Sequence, residues 1–275
     1  MRYKRKVVAF IDILGFRKII EQTEENLTAQ SEIYDVLNSI KTSILSTSLS
    51  GELNLENVPP EELEDVQKTF QLFAYAMKSK STVQITHFSD SIVISVDADD
   101  MVYVMTVMEL IGRTIFKLWN DFKILIRGAI STGYLIHEEE GVLFGPAMVK
   151  SYEYETFLAK NPRIIIDEET AVLLKSNNDY QNNGMHYLFA NFNDSVTIKD
   201  KKYEINNGLE INLATTCEYF IRSHHSQIPE LRKKYFDCIN STPQKLEDLK
   251  QQLKDTRVKE KYQYLLEAFK THFPK

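Results

Sequence analysis

The chain has 275 residues, 43% of them hydrophobic, which exceeds a typical single domain and is enough to bury a large core. Its net charge of −6 offers no excess of cation to neutralise a phosphate backbone, which argues against a protein whose main task is gripping nucleic acid; a small anionic ligand held through metal stays compatible. Cys217 and Cys238 form no CxxC and have no histidines at ligand spacing, so neither a disulfide framework nor a zinc site is expected. No stretch approaches the roughly 20 apolar residues of a membrane span. The basic start at residues 1–6 leads into an apolar run, but Asp12 interrupts that run and no small-residue cleavage site follows. A cytoplasmic protein without membrane contact is the expectation.

In chain order, residues 6–13 are β-branched and apolar, ended by Gly15, and read as a buried strand. Over 27–45, Ile33, Val36, Leu37, Ile40 and Ile44 recur at helical spacing, and residues 46–66, with the Pro59-Pro60 pair, read as an insertion. Two β-like runs, 82–88 and 91–96, flank Ser89-Asp90 and predict a hairpin with the aspartate at its turn. Asp99 or Asp100 is placed to cap a helix whose apolar face is Met101, Val104, Met105, Met108, Ile111, Ile115 and Leu118. A strand over 122–133, a turn at 138–141, a helix over 146–158 and a strand over 163–167 follow. This order, β-α-(insert)-β-β-α-β-α-β, is close to a split βαβ arrangement with an extra unit. After Gly184 come short strands around 185–190 and 195–204, then helices, with apolar residues at helical spacing over 243–273. The expected organisation is one main unit over 1–183, with an insertion at about 46–66, and a C-terminal region over 184–275 that ends as a helical appendage.

Asp12 interrupts an otherwise continuous buried strand, Phe10-Ile11-Asp12-Ile13-Leu14-Gly15-Phe16. A buried carboxylate without a partner costs several kcal/mol, so a cation or a set of donors must answer it; the alternative is an aspartate capping whatever follows the strand. Read alone, Ser89-Asp90-Ser91 is ordinary turn chemistry. Together, a strand-end carboxylate and a hairpin-turn carboxylate are the means by which palm-type folds bring hard oxygen ligands to divalent ions, which substrate phosphates and water complete.

Residues 10–16 resemble the first metal-binding motif of the class III adenylyl and guanylyl cyclases, and Ser89-Asp90-Ser91 resembles the second. Residues 127–133, Arg-Gly-Ala-Ile-Ser-Thr-Gly, and Gly145 are similar to that family's later strand and following helix, so the resemblance covers about residues 5–167 in the correct order. It implies an α+β, ferredoxin-like palm fold and a homodimer that converts a nucleoside triphosphate to a 3′,5′-cyclic mononucleotide and pyrophosphate. It further implies two Mg²⁺ or Mn²⁺ ions per site held by Asp12, Asp90 and the carbonyl of Ile13, with amides around Leu14, Gly15 and Phe16 cradling phosphates.

The departures from the family pattern are specific. Gln84 stands near the usual base-reading position and Val142 near that of its partner, and a neutral amide can read a pyrimidine or a purine. Val149 and Glu153 stand where the family has an asparagine and an arginine that stabilise the transferring phosphoryl group. Either another cation serves, with Lys150, Arg127 and Arg163 as candidates, or the protein does not cyclise. In outline the chain is similar to the pyrimidine cyclases of the Pycsar antiphage system, which implies cCMP or cUMP as product and an unknown downstream effector. A nucleotide-binding regulatory module of the same fold, or another palm-fold nucleotide synthetase, are the alternatives.

Overall fold

Strand β1 (Lys4–Ile13) is buried without a break from Lys6 to Ile11, as a strand covered on both faces must be. In the computed structural model, which describes residues 2–21, 82–138, 141–182, 184–222 and 229–274 and isolated positions between 26 and 34, β1 is central to the sheet. The expected insertion at 46–66, and the helix over 27–45 apart from those isolated positions, lie outside the described residues. β1 runs antiparallel to β3 (Ser91–Asp97) on one side and to β4 (Ile126–His137) on the other. β2 (Gln84–Phe88) pairs with β3 as the expected hairpin, turning at Ser89-Asp90. The order β2-β3-β1-β4, with α1 (Phe16–Glu21) after β1 and α2 (Met101–Phe122) joining β3 to β4, is the ferredoxin-like α+β arrangement.

Beyond that core, β5 (Leu143–Phe144) folds back on the end of β4, and α3 (Pro146–Phe157) leads to β6 (Ile164–Ile166), parallel to β4. Next come α4 (Glu168–Lys175), α5 (Asn178–Asn182), a 3₁₀ turn at Met185–Leu188, and the hairpin of β7 (Ala190–Ile198) and β8 (Lys201–Ile211). A single sheet runs β2-β3-β1-β4-β6-β8-β7. Helices α6 (Leu213–Arg222), α7 (Pro229–Gln252) and α8 (Thr256–His272) complete the chain.

The period-2 alternation of β1 divides its side chains between two layers. Val7, Ala9, Ile11 and Ile13 join α2 and residues Phe220, Tyr235, Leu246, Leu265 and Phe269 of the last three helices in one cluster. Val8 and Phe10 meet Val93, Leu135 and Ala147 of α3 on the other side. The C-terminal helices are therefore part of the main core, and β7 and β8 extend the main sheet. Ser151 fixes α3 to its layer by donating to the Val8 carbonyl at 3.0 Å.

Four local expectations are corrected. Asp100 sits at the N-cap of α2, but its side chain makes no capping hydrogen bond. Trp119 and Phe122 prolong the apolar stripe, so the helix runs to Phe122, stops at Lys123 in the left-handed region (φ 58°), and the following strand starts at Ile126 instead of 122. Met185–Leu188 is a 3₁₀ turn entered through Gly184 at φ 70°, not a strand. Residues 195–204 span two strands, because Lys199 and Asp200 both take positive φ and make the tight reversal of a hairpin. Pro243 lies inside α7, and next to it Thr242 accepts a hydrogen bond of 2.9 Å from the Trp119 indole. Among the described residues no helix is long and apolar enough to cross a membrane.

Candidate functional site

Residues directly opposed in an antiparallel ladder point to the same side of the sheet. Asp12 is opposed by Ser91 on β3 and by Arg127 on β4, so these three share the face that carries Val8, Phe10 and Val93. Asp90 is in the β2–β3 turn, and its carbonyl accepts the Ile13 N–H at 3.1 Å, which pins the turn to the end of β1. Gly128 permits the close approach of β4, since a Cβ there would lie 2.4 Å from the Phe10 carbonyl oxygen. The two carboxylates singled out in the sequence are thereby brought to one end of the sheet, with Arg127 beside them.

Arg127 is shared. Its Nε donates to Asp12 Oδ2 at 3.2 Å, and its Nη2 lies 2.8 Å from Oε1 of Glu155, a residue of α3 whose side chain is 4% exposed. That second contact is an ion pair without hydrogen-bond geometry, so Glu155 Oε1 is a buried oxygen lacking a hydrogen bond, while Oε2 accepts from Thr156 Oγ1 at 3.1 Å. Burial raises the pKa of Asp12, Arg127 offsets part of that rise, and the charge of Asp90 adds to it. Glu155 is raised in the same way, by burial first and against the pull of Arg127, with Asp12 contributing. Three carboxylates thus interact around one guanidinium. A second cation, Lys261 of α8, is half-buried within electrostatic reach of Asp12, Arg127 and Glu155.

Among the described residues no three His, Cys, Asp or Glu side chains form a ready-made metal cage. Magnesium does not require one, because one or two carboxylates completed by phosphate and water suffice. Asp12 and Asp90 meet that description. Asp12, Asp90 and Glu155 outnumber Arg127 and Lys261 there, and burial raises the carboxyl of Asp12, so negative charge exceeds its compensation and the residues fit a divalent cation.

The remaining sequence-predicted residues are distributed as follows. The Leu14 N–H donates to Leu125 O at 2.9 Å and is taken, which leaves Gly15 and Phe16 for any phosphate contact. Gly15 holds φ 78°, a backbone conformation glycine adopts without strain, and space is open where its Cβ would be. Gln84 opposes Ser95, which opposes Val8, so Gln84 lies on the face of Asp12. It is four residues, or about 13 Å, along the hairpin from the Phe88–Ser91 pair. Lys150 is not with Asp12: its Nζ lies 2.5 Å from Oδ2 of the fully buried Asp167, whose other oxygen caps α4 by accepting the Thr170 N–H at 2.9 Å. Burial lowers the Lys150 pKa, but Asp167 outweighs it and the net direction is up. Arg163 pairs with Glu210 at 2.9 Å, and its guanidinium lies over the rings of Phe192 and Tyr264. Val149 is 56% exposed, and Glu153 is tied to Lys201 at 2.6 Å.

Glu155 and Lys261 were not singled out as site residues in the sequence, yet each had a signal. Glu155 follows Ala147 and Ser151 at intervals of four, the buried stripe of α3. Lys261 precedes Leu265 by four, and a lysine on the buried stripe of Leu265 and Phe269 needs a polar partner inside.

No family model matches the chain, and no curated protein matches it. Solved structures do. The adenylyl cyclase CyaB from P. aeruginosa aligns at 14% identity and a TM-score of 0.48, covering 76% of this chain and 94% of that one. The catalytic core of a rhodopsin-guanylyl cyclase with converted specificity, in complex with ATPalphaS, aligns at 16% identity and a TM-score of 0.45, covering 77% and 97%. An adenylate/guanylate cyclase/hydrolase from Silicibacter pomeroyi aligns at 13% identity and a TM-score of 0.44, covering 77% and 98%.

Proposed function

We propose that the chain is a divergent class III nucleotidyl cyclase, converting a nucleoside triphosphate to a 3′,5′-cyclic mononucleotide and pyrophosphate. The observation that carries this reading is the meeting of Asp12 and Asp90 at one end of a ferredoxin-like sheet, on a face that also bears Gln84. Two Mg²⁺ or Mn²⁺ ions, when bound by Asp12, Asp90 and the Ile13 carbonyl, supply Lewis-acid polarisation of the phosphates and acidify the ribose 3′-hydroxyl. The bond from the 3′-oxygen to the α-phosphorus forms, the bond from that phosphorus to the β-bridging oxygen breaks, the hydroxyl proton leaves to solvent, and pyrophosphate departs with the electron pair.

The chain's own residues orient and shield. Arg127 holds Asp12 in place, the Gly15 and Phe16 amides face the phosphates, and Phe10 and Val93 exclude water from the sheet face. Gln84 reads the base through its amide, which suits cytosine or uracil as readily as a purine. A homodimer completes each site, and the exposed Phe88, Val149 and Tyr152 give this side of the molecule an apolar surface for the second copy.

A second reading is a nucleotide-binding module without turnover. It is favoured by Glu153, which stands in an ion pair with Lys201 where the family has its arginine. One experiment separates the two: incubate the protein with ATP, GTP, CTP and UTP and Mn²⁺ or Mg²⁺, with Asp12→Ala and Asp90→Ala alongside, and resolve the products by chromatography. A cyclic mononucleotide that vanishes in both variants is expected. Metal-dependent nucleotide binding without any product supports the module instead.

A further inference from the structure

We infer that Lys261, on the last helix, is the cation that contacts the triphosphate at the Asp12–Asp90 site and stabilises the charge displaced during transfer. The inference rests on the cyclase reading and names a residue the family pattern does not supply.

Each cation suggested by the sequence is already held by a carboxylate: Arg127 by Asp12 and Glu155, Lys150 by Asp167, and Arg163 by Glu210. Lys261 has no hydrogen bond or ion pair of its own among the described residues. Its helix is fixed close to the site. Leu265, Leu266 and Phe269 bury α8 in the main core, and the Tyr264 hydroxyl bonds Glu210 and receives Asn212 Nδ2 at 3.3 Å. Arg163 lies 5.2 Å over the Tyr264 ring, and its carbonyl accepts the N–H of Gly128 at 3.0 Å, the residue next to Arg127. Lys261 precedes Tyr264 by one turn on the same side of the helix, and it lies within electrostatic reach of Asp12, Arg127 and Glu155.

The charges around it agree with that position. Burial lowers the pKa of Lys261, and Arg127 acts in the same direction, while Asp12, Asp255 and Glu155 act against them. An ammonium held near carboxylates but bonded to none retains its donors for a phosphate oxygen. Transfer of the α-phosphoryl group shifts negative charge onto the departing pyrophosphate, where a positioned cation gains more in the transition state than in the ground state. Lys261 transfers no proton in this role, and the bonds made and broken are those already given.

The test uses the full chain, with Lys261→Met, Lys261→Gln and Lys261→Arg beside Asp12→Asn, and thermal melting to confirm folding. One arm measures kcat and KM with Mn²⁺ and whichever of the four nucleoside triphosphates is turned over fastest. The other arm measures binding of the α,β-methylene triphosphate analogues and of the nucleoside monophosphates, and decides the matter even where turnover is slow. Expected are a loss in kcat of about 10²-fold for Lys261→Met and Lys261→Gln with a smaller change in KM, and substantial rescue by Lys261→Arg. Triphosphate affinity is expected to fall about tenfold while monophosphate affinity stays level. If the Met and Gln variants bind and turn over within threefold of wild type while Asp12→Asn is inactive, Lys261 is excluded and the cyclase reading stands. If the wild-type protein binds no triphosphate in the presence of metal, the cyclase reading falls and takes this inference with it.

Discussion

The sheet face that carries Asp12 has a polar cluster at each end of β1 and β4, and the two are built in opposite ways. At the far end His137 has both ring nitrogens satisfied, Nε2 by Thr86 Oγ1 at 2.8 Å and Nδ1 by Ser95 Oγ at 2.8 Å. Burial, with Lys6 adding to it, lowers the His137 pKa to about 4, so the ring is neutral at pH 7 and its one N–H and one lone pair match two hydroxyls. Lys6 itself lies 2.7 Å from Asp97. At the near end Asp12 and Glu155 share Arg127, burial holds both above their ordinary range, and the charge of Asp90 acts on both. Similar burial thus produces a closed imidazole–hydroxyl network in one place and three carboxylates against two cations in the other, while Asp97 Oδ1 and Glu155 Oε1 each rest on an ion pair without a hydrogen bond. A closed network accounts for itself as structure; an under-compensated one implies a cation or ligand that completes it.

The largest effect that would break this contrast is Asp12→Asn. Turnover is expected to fall about 10³-fold or more, because the hard anionic oxygen is lost. The stability of the metal-free protein moves the other way. The folded-state pKa of Asp12 is raised, so its ionised form is disfavoured by folding and that penalty is relieved as pH drops through the raised pKa; the neutral amide removes it at pH 7. The variant should therefore melt no lower than wild type, and unlike wild type it should gain no melting temperature from Mn²⁺ plus nucleotide. A variant that melts well below wild type would mean that Asp12 is a structural partner of Arg127.

Next in size is Lys150→Met, which strands the buried carboxylate of Asp167. Because Lys150 is 35% exposed and Asp167 keeps the Thr170 N–H, the loss is expected at about 2 kcal/mol, below that of a wholly buried pair. Urea denaturation measures it. A fall in kcat larger than the unfolded fraction explains, at unchanged stability, would return Lys150 to the chemistry.

The same contrast explains what could be read from sequence. The ferredoxin-like order, the hairpin with Asp90 at its turn and the place of Asp12 were legible because each rests on a local signal: a period, a turn residue, a polar break in an apolar run. Helix ends were less so; α2 overran its expected end because Trp119 and Phe122 fit a helix stripe as well as a strand start. The Lys199-Asp200 reversal has no glycine to announce it. Partner choice was the least legible property. Lys150 and Arg127 are both strand- or helix-borne cations in the sequence, and only the packing of β6 and α3 gives one to Asp167 and the other to Asp12. Lys261 is more than 130 residues beyond Arg127 in the chain, so nothing local tied it to the site.

At the closed end, an effect of similar size is expected from pH. His137 is depressed to about 4 from an ordinary 6.5, so the unfolded chain binds the extra proton between those values and the folded one does not. Stability contributed by the neutral ring is present above about pH 6.5 and is lost as pH falls toward 4, by about 2 kcal/mol once partial solvent access is allowed for. Urea midpoints from pH 7.5 to 4 should decline in wild type, and the slope should flatten in His137→Gln. An unchanged slope in that variant would assign the acid sensitivity to other groups.

The smallest effect, and the one that sharpens the contrast most, belongs to Glu155→Gln. Removing a carboxylate that burial already disfavours relieves a desolvation cost but also frees Arg127 from one of its two partners, so stability should change by less than about 1 kcal/mol. Arg127 then bonds Asp12 alone, and the negative field over Asp12 and Asp90 weakens. If Glu155 contributes to that field, the Mn²⁺ concentration needed for half-maximal nucleotide binding should rise about threefold, or about 0.6 kcal/mol. If that concentration does not move, Glu155 is only the counter-ion that orients Arg127, and the excess of negative charge at this end of the sheet reduces to Asp12 and Asp90.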